Sequence, residues 1–186
     1  MAHASPTSAP GRLDLVRRFV NTSDIEVGTD TLETPEALAD WLGTAGLLVG
    51  TRIAGRSDLE SARNLRESFR DALAANHAGQ RMTATSVDAL NAAARDAGLY
   101  PVLTSEARWT SMPTASGVAG ALGSLLVVVM DAMADGSWRR LKVCVNDACR
   151  WAFYDHSRAR SGKWCSMEVC GNRAKQQAWR QRHVRA

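Results

Sequence analysis

The first two-thirds of the chain carry apolar residues at the three- and four-residue spacing of amphipathic helices. This pattern predicts a first helix over RLDLVRRFVNT, where the apolar side chains share one face. A second helix is predicted to begin at Thr34, because threonine caps helices and Pro35 suits the first helical position. A third and longer helix is predicted to begin at Ser57, with Glu60 completing a capping box.

The periodicity changes after a fourth helix, which is predicted over residues 86–97. The segments LYPVLT and ARWTS are short and contain β-branched or aromatic residues, which predicts a small β-hairpin. The helical pattern returns over residues 117–134, where the side chains are apolar on most sides, as in a central buried helix. Its longest apolar run has 14 residues, fewer than the about 20 that span a membrane, so no membrane partner is expected.

The charges divide the 186-residue chain into two parts. Residues 1–138 carry 11 Arg or Lys against 16 Asp or Glu, whereas residues 139–186 carry 12 against 3 together with all four cysteines. This division predicts two modules and a polyanionic partner for the basic one, although a basic surface can also serve solubility alone. Residues 1–10 are predicted to be a disordered tail. Because they lack the apolar core of a signal peptide, the protein is placed in the cytoplasm.

Four cysteines, Cys144, Cys149, Cys165 and Cys170, follow the spacing C-x4-C-x15-C-x4-C. Two short loops that each present a pair of thiolates are what a tetrahedral zinc site needs, and four protein ligands make such a site structural. The alternatives are two disulfides, which need an oxidising compartment, a redox pair, which usually has the spacing C-x-x-C, and unligated core cysteines. We therefore expect one structural Zn²⁺ as cofactor. A knuckle, a strand over RWAFYD and a helix near Cys170 together predict a treble-clef-like finger.

The last predicted helix begins near Cys170 and has two different faces on a wheel of about 100° per residue. Ala174 and Ala178 share the Cys170 face, which we expect to pack on the zinc site. The opposite face lies between two basic edges, the layout of a helix that binds in the major groove of DNA, because amides contact bases and cations contact phosphates. The alternative is a solvated C-terminal helix. The predicted DNA-binding residues are Asn172, Arg173, Lys175, Gln176, Arg180 and Arg182 on the helix and Arg158, Arg160 and Lys163 in the preceding loop.

Trp179 lies on the outward face of this helix with Gln176 and His183. Its indole could stack on an unpaired base, anchor a partner protein or pack back onto the chain. Aromatic side chains are more often largely buried than exposed, so packing onto the protein is the favoured interpretation.

The N-terminal part contains no catalytic signature such as a phosphate-binding glycine loop, an HExxH motif or a nucleophile elbow, so an enzyme is not expected. The polar segment FVNTSDIEVGTD could line a small-molecule pocket, although ordinary loop and capping chemistry is the favoured alternative. A helix face that carries Arg63, Arg66 and Arg70 could bind an acidic ligand, face solvent or pair with nearby acids. The candidate pocket residues are Asn21, Thr22, Asp24 and Arg66.

The segment CVNDACRWAFYDHSRARSGKWCSMEVCGNRAKQQAW closely resembles the CGNR zinc-finger family, which is named after the tetrapeptide that begins at Cys170. The segments RFVNTSDIEVGTD, ETPEALADWL and MADGSWRRLKVC resemble the ABATE domain found upstream of that finger. Proteins with this arrangement are regarded as stress-related bacterial transcription regulators. The resemblance implies zinc binding and DNA binding, and it identifies no ligand for the upstream domain.

Together these observations predict a mainly α fold with a small β-hairpin (α+β). A multihelical ABATE-like domain over residues 11–138 precedes a CGNR zinc-finger domain over residues 139–186. The predicted function is that of a DNA-binding transcription regulator, with double-stranded DNA as the partner of the finger. The N-terminal domain is expected to sense a signal, bind a small-molecule effector or form a homodimer. The alternative is a zinc-stabilised protein–protein interaction module that does not bind DNA.

Overall fold

The computed structural model describes residues 8–50 and 53–183, and this part of the chain forms six α-helices and three two-stranded antiparallel hairpins. The helices are α1 (Leu13–Val20), α2 (Pro35–Thr44), α3 (Arg56–Ala78), α4 (Ala84–Asp96), α5 (Gly117–Ala134) and α6 (Asn172–His183). The hairpins pair β1 (Ser23–Asp24) with β2 (Thr29–Asp30), β3 (Leu99–Leu103) with β4 (Trp109–Pro113), and β5 (Leu141–Val143) with β6 (Ala152–Tyr154). The predicted fold class, mainly α with small β-hairpins, is confirmed.

Helix α5 lies at the centre of the N-terminal domain, where α1 to α4 and the β3–β4 hairpin pack against it. It is long and apolar enough to cross a membrane by length and composition, yet most of it is buried inside the protein. Gly123 allows the hairpin to approach closely, because a Cβ there would lie 2.5 Å from Ala97 Cβ and 3.1 Å from Pro113 Cβ. The apolar run over residues 117–134 is therefore the core helix that the pattern predicts.

Local capping chemistry explains where the helices begin, with one correction. Thr34 caps α2 as predicted, and its hydroxyl accepts a hydrogen bond from Ala37 N at 3.2 Å. The prediction that Ser57 caps α3 is wrong, because the helix begins at Arg56 with Gly55 as the N-cap. Asp58 accepts a hydrogen bond from Gly55 N at 2.8 Å, which is the carboxylate half of a capping box, so Asp58 acts in place of Glu60.

The β3–β4 hairpin is confirmed, and it leaves apolar side chains exposed on both of its faces. Tyr100 lies opposite Met112, and Leu103 lies opposite Trp109. All four side chains are exposed in the described part of the chain. A lone two-stranded hairpin is only marginally stable, so its packing against α5 is what holds it in place.

The finger and the N-terminal helices share one hydrophobic core. Leu141, Val143, Ala152 and Tyr154, all on the β5–β6 hairpin, are buried in the same cluster as the N-terminal helices. Ala9, which the sequence places in a disordered tail, is also buried there, and residues 1–7 of that tail lie outside the described residues. The hairpin therefore belongs to the finger by sequence and to the N-terminal core by packing.

Candidate metal centre and nucleic-acid surface

The four cysteine side chains come together at one buried point. Their sulfur atoms all lie within 4.8 Å of one another, and Cys165 Sγ lies 3.7 Å from both Cys149 Sγ and Cys170 Sγ. A tetrahedral zinc ion with Zn–S bonds of about 2.3 Å holds its sulfurs about 3.8 Å apart, whereas a disulfide needs about 2.05 Å. The spacing fits one zinc ion bound by four cysteines, as predicted, and does not fit disulfide bonds.

The electrostatics of the cluster also call for a cation. Hydrogen bonds from Cys149 and Cys165 lower the pKa of Cys144 to about 2, and the same sulfur raises the pKa of Cys149 to about 12. The pKa of Cys165 is raised as well, because its thiol bonds to both of these neighbours. Of these three cysteines, only Cys144 therefore favours the thiolate form without a metal. A zinc ion held by the four cysteines would supply the divalent charge that stabilises their thiolates together.

The first pair of cysteines is presented by the short turn that links β5 to β6. Cys149 N donates to Asn146 O at 2.8 Å, which closes the turn, and Cys144 N donates to Trp151 O at 2.9 Å. The Asn146 side chain also donates to Cys170 Sγ at 3.9 Å. This contact ties the first turn to a ligand of the second pair.

Of the second pair of cysteines, Cys165 precedes a wide, π-type turn over Met167–Gly171, and Cys170 lies within that turn. The turn begins at Ser166, whose hydroxyl accepts from Val169 N at 3.3 Å. It continues directly into α6. Cys170 therefore ties the N-terminal end of α6 to the metal site, as predicted for the last ligand of a treble-clef-like finger.

Hydrogen bonds between distant segments orient the zinc site against the N-terminal helices. The Asn21 amide pairs with Ala152 in both directions, donating to its O at 2.9 Å and accepting from its N at 2.7 Å. Arg70 Nη1 donates to Arg150 O at 3.0 Å, and Arg150 forms an ion pair with Asp71 at 2.9 Å. Sequence reasoning singled out Asn21 and Arg70 as candidates for ligand binding but missed their contact with the finger, because nothing local to either segment marks it.

A buried ion pair supports the loop between the two cysteine pairs. Lys142 Nζ lies 2.7 Å from Asp155 Oδ2 and also donates to Arg160 O at 2.6 Å. Asp155 accepts further bonds from Ser157 N at 3.0 Å and Gly162 N at 2.8 Å. Burial raises the pKa of Asp155, but these bonds, led by that from Lys142, outweigh burial and hold the pKa well below its usual range.

Replacing Gly162 with alanine is expected to destabilise the finger by about 1–3 kcal/mol, the usual cost of overpacking. The new Cβ would lie 2.8 Å from Asp155 Oδ1 and 2.9 Å from its Cγ, and that carboxylate is held on several sides. Gly171→Ala is the matched control, because its Cβ would meet only the mobile end of the exposed Met167 side chain within 3 Å. Urea unfolding should show a larger loss in the free energy of unfolding for Gly162→Ala than for Gly171→Ala. Equal losses would show that the Asp155 carboxylate does not restrict the residue at position 162.

Helix α6 projects from the metal site without a buried face. It has no buried residue, and Ala178 is exposed, so the prediction that Ala178 packs on the zinc site is wrong, whereas Ala174 is half-buried. The cause is the π-type turn, which ends at Gly171 before α6 begins. A wheel drawn from Cys170 at a uniform 100° per residue does not describe a helix that is joined to a wider turn.

Trp179 does not pack onto the protein core, and the favoured interpretation of its role is also wrong. Its side chain is 55% exposed. The indole stacks instead on His183, one turn further along α6, with ring centroids 4.3 Å apart and planes 25° apart. The His183 Nδ1 lies 2.9 Å from Trp179 O, which fixes the position of the imidazole.

Two of the predicted DNA-binding residues are engaged inside the chain. The Arg173 guanidinium forms an ion pair with Glu26 of the N-terminal domain. That bond raises the pKa of Arg173, which stays charged. The Asn172 amide donates to Glu168 O at 3.1 Å and closes the start of α6. Both side chains are exposed, but neither is fully available to a partner in this conformation.

The other DNA-binding candidates are exposed. Lys175, Gln176, Trp179, Arg180 and Arg182 line one shallow hollow, which we call the α6 surface. Within the described part of the chain, no ion pair involves the cations of this surface. The loop candidates Arg158, Arg160 and Lys163 are exposed as well and do not belong to its lining.

The candidate ligand residue Arg66 is buried and tied to an acid. Its guanidinium donates to Asp30 at 2.7 and 2.8 Å, a two-bond pair, and to Glu67 at 2.9 Å. Burial lowers the pKa of Arg66, but its bonds to Asp30 and Glu67 outweigh burial, so the pKa is raised. Of the three alternatives for the Arg63, Arg66 and Arg70 face, pairing with acids and backbone carbonyls of the chain is the one observed.

The other three candidate pocket residues also make hydrogen bonds inside the chain. Asn21 holds β6, as described above. Thr22 donates its hydroxyl to a backbone carbonyl of α1 at 2.7 Å. Asp24 accepts from two backbone amides of its own turn at 3.0 and 3.1 Å. These contacts are the loop and capping chemistry of the alternative interpretation, and ligand binding at these residues stays a prediction.

Two family models match the chain in the order expected from its sequence. ABATE, described as "Putative stress-induced transcription regulator", matches residues 13–135. The CGNR zinc finger matches residues 140–183 and so contains all four cysteines. No curated protein matches the chain.

Proposed function

The chain belongs to the ABATE family and carries a C-terminal CGNR zinc finger, and from this premise we propose that it is a cytoplasmic, DNA-binding transcription regulator. The finger contacts double-stranded DNA through α6. The N-terminal domain senses a signal or forms an oligomer. The role of the metal is structural rather than catalytic, because a four-cysteine site leaves no open position on the metal for a substrate.

One observation carries the DNA-binding proposal: α6 is a zinc-anchored helix that is basic, exposed and free of acids. Its sequence, NRAKQQAWRQRH, contains no Asp or Glu, and none of its residues is buried. A solvated C-terminal helix without a binding role would not need a metal anchor at its N-terminal end. It would also not need all of its charged side chains to be positive. Cations on an exposed helix can neutralise phosphates and release counterions, which supplies most of the affinity of nonspecific DNA binding.

Fluorescence anisotropy with a labelled DNA duplex, measured across a salt series, tests this proposal. Binding by the zinc-loaded chain should weaken steeply with salt, with a slope of about −0.9 per neutralised phosphate. The double variant Lys175→Gln/Arg180→Gln should reduce the slope by up to about 2, with zinc content unchanged. Arg95→Gln on α4 is the matched control, since it removes a cation that lies far along the chain from the finger. A folded, zinc-loaded protein that binds no duplex at low salt would refute DNA binding.

Replacing Glu26 with glutamine is expected to strengthen DNA binding. The substitution releases Arg173 from its ion pair with the N-terminal domain, and the freed guanidinium can then contact a phosphate. The salt slope should become steeper by about 0.9, the contribution of one phosphate. Glu33→Gln is the control, because it removes the same charge from an exposed position outside this contact. If both variants gain the same affinity for DNA, the loss of one negative charge is responsible and the release of Arg173 is not.

Two features of the N-terminal domain support a sensing or oligomerising role. A cavity of about 210 Å³ lies between α3, α4 and α5, with small apolar side chains and the carboxylates of Asp58 and Asp96 in its wall. A small-molecule effector would fit there better than at the bonded residues around Arg66. The β3–β4 hairpin exposes apolar pairs on both of its faces, Tyr100–Met112 on one and Leu103–Trp109 on the other, and a second copy of the chain would cover one of them in a homodimer.

The second candidate function is that of a zinc-stabilised protein-interaction module. The observation that favours it is the clamp between the finger and its own N-terminal domain, made by Asn21 and Arg70. In this case the metal holds the β5–β6 hairpin in place, and α6 binds a protein. The anisotropy titration separates the two functions, because only the first requires affinity for a DNA duplex.

A further inference from the structure

Trp179 is the only Phe, Tyr or Trp of α6, and duplex binding through cations assigns it no role. More than half of its surface is exposed, on a helix that buries nothing. Its stack on His183 holds the indole in one orientation along the helix. A flat aromatic surface that is already ordered loses little conformational entropy when a second ring stacks on it.

The surroundings of the indole identify the chemistry of its partner. Lys175, Arg180 and Arg182 line the same hollow as Trp179, and Gln176 adds an amide one turn before it. The cores of protein interfaces are depleted in charged residues, so a ring between three cations is poorly suited to an apolar protein surface. A nucleic acid complements both parts of this surface, because its bases can stack on the indole and its phosphates can pair with the cations.

We propose that the α6 surface binds an unpaired base of DNA, which stacks on Trp179 while Lys175 and Arg180 contact the flanking phosphates. This inference rests on the proposed function, because it assumes that the finger binds DNA. A base in an intact duplex is stacked on both faces by its neighbours. An indole can therefore reach a base face only in a single strand or where the duplex is opened or unstacked.

The preferred ligand is therefore single-stranded or locally melted DNA rather than an uninterrupted duplex. Stacking also makes recognition tolerant of sequence, because every base presents a π face. Gln176 can add a preference by hydrogen bonding to the edge of the stacked base. Duplex binding through the cations remains, at lower affinity.

The test compares three labelled DNAs: an oligo-dT strand, a fully paired duplex and the same duplex with a central mismatched bubble. Anisotropy titrations use the zinc-loaded full chain and its variants Trp179→Ala and Trp179→Phe, with Gln177→Ala as an exposed control on α6 outside the hollow. Trp179→Ala should weaken binding to the strand and the bubble by about 5- to 100-fold, the effect of losing one stacked base. Trp179→Phe and Gln177→Ala should stay close to the wild type, and paired duplex should bind all four proteins alike.

The outcomes separate this inference from the proposed function. Because Trp179 lies outside the core, zinc content and far-UV circular dichroism should be unchanged in Trp179→Ala, which shows that the variant is folded. If Trp179→Ala binds the strand and the bubble like the wild type, or weakens the paired duplex equally, the stacking role is refuted and DNA binding stands. If the wild type binds none of the three DNAs, both are refuted.

Discussion

Replacing Cys165 with serine is expected to abolish zinc binding and to unfold the chain from the second cysteine pair to the end of α6. Cys165 Sγ lies 3.7 Å from two of the other sulfurs, so its loss opens the coordination sphere. Structural zinc contributes about 10–16 kcal/mol at neutral pH in small fingers. The apolar cluster around the site, which includes Phe153 and Trp164, is too small to replace that contribution.

The N-terminal helices should survive this substitution. Leu141 and Tyr154 of the β5–β6 hairpin are buried in the main core and not in the cluster around the cysteines. Zinc loss should therefore release α6 and the π-type turn and leave the hairpin docked. Hydrogen exchange is expected to show lost protection over residues 163–183 and kept protection over α3. Metal analysis should fall from one zinc per chain to none.

Two controls make the zinc prediction decisive. Titration of the wild type with a chelator should reproduce the exchange pattern of Cys165→Ser, because both remove the same ion. Ser161→Ala, an exposed change in the preceding loop, should keep one zinc per chain. If Cys165→Ser retains zinc, Cys165 is not an essential ligand. If α3 unfolds together with α6, the structural effect of the metal is not confined to the finger.

Replacing Arg70 with methionine is expected to destabilise the whole protein by about 3 kcal/mol or more. The Arg70 side chain is fully buried and donates to Val20 O at 2.7 Å, Ser23 O at 3.2 Å and Arg150 O at 3.0 Å. Methionine fills similar space but removes the guanidinium that donates to these carbonyls, and a buried group left unsatisfied costs about 1–3 kcal/mol. Denaturant unfolding followed by circular dichroism measures the loss.

Arg95→Met provides the matched control for Arg70. Arg95 is exposed on α4, so the same chemical change there should alter stability by no more than about 0.5 kcal/mol. Because Arg150 directly follows the ligand Cys149, the Arg70 variant should also release zinc at a lower chelator concentration than the control. Equal stability of the two variants would mean that Arg70 does not link the N-terminal loop to the finger.

The sequence by itself determined the features that depend on neighbours along the chain. The helical pattern located α5, and Thr34 and Pro35 marked the start of α2. The β-branched and aromatic residues of LYPVLT and ARWTS predicted the β3–β4 hairpin. The spacing of the cysteines determined the metal site, because each short turn brings two sulfurs to one side of an ion. The N-cap of α3 was predicted at Ser57, two residues late, because serine is a common cap residue, whereas the actual cap, Gly55, offers no side-chain signal.

Only the tertiary structure decided which charged side chains are exposed and which are paired inside the chain. Arg70 and Arg173 look alike in the sequence, yet one is buried among backbone carbonyls and the other pairs with Glu26, 147 residues away. The same holds for Trp179, whose exposure follows from the direction in which the π-type turn sends α6. Long-range pairs depend on how separate elements pack, and burial decides whether a polar group must be bonded inside the chain. Local sequence patterns show neither which distant residues pair nor which polar groups are buried.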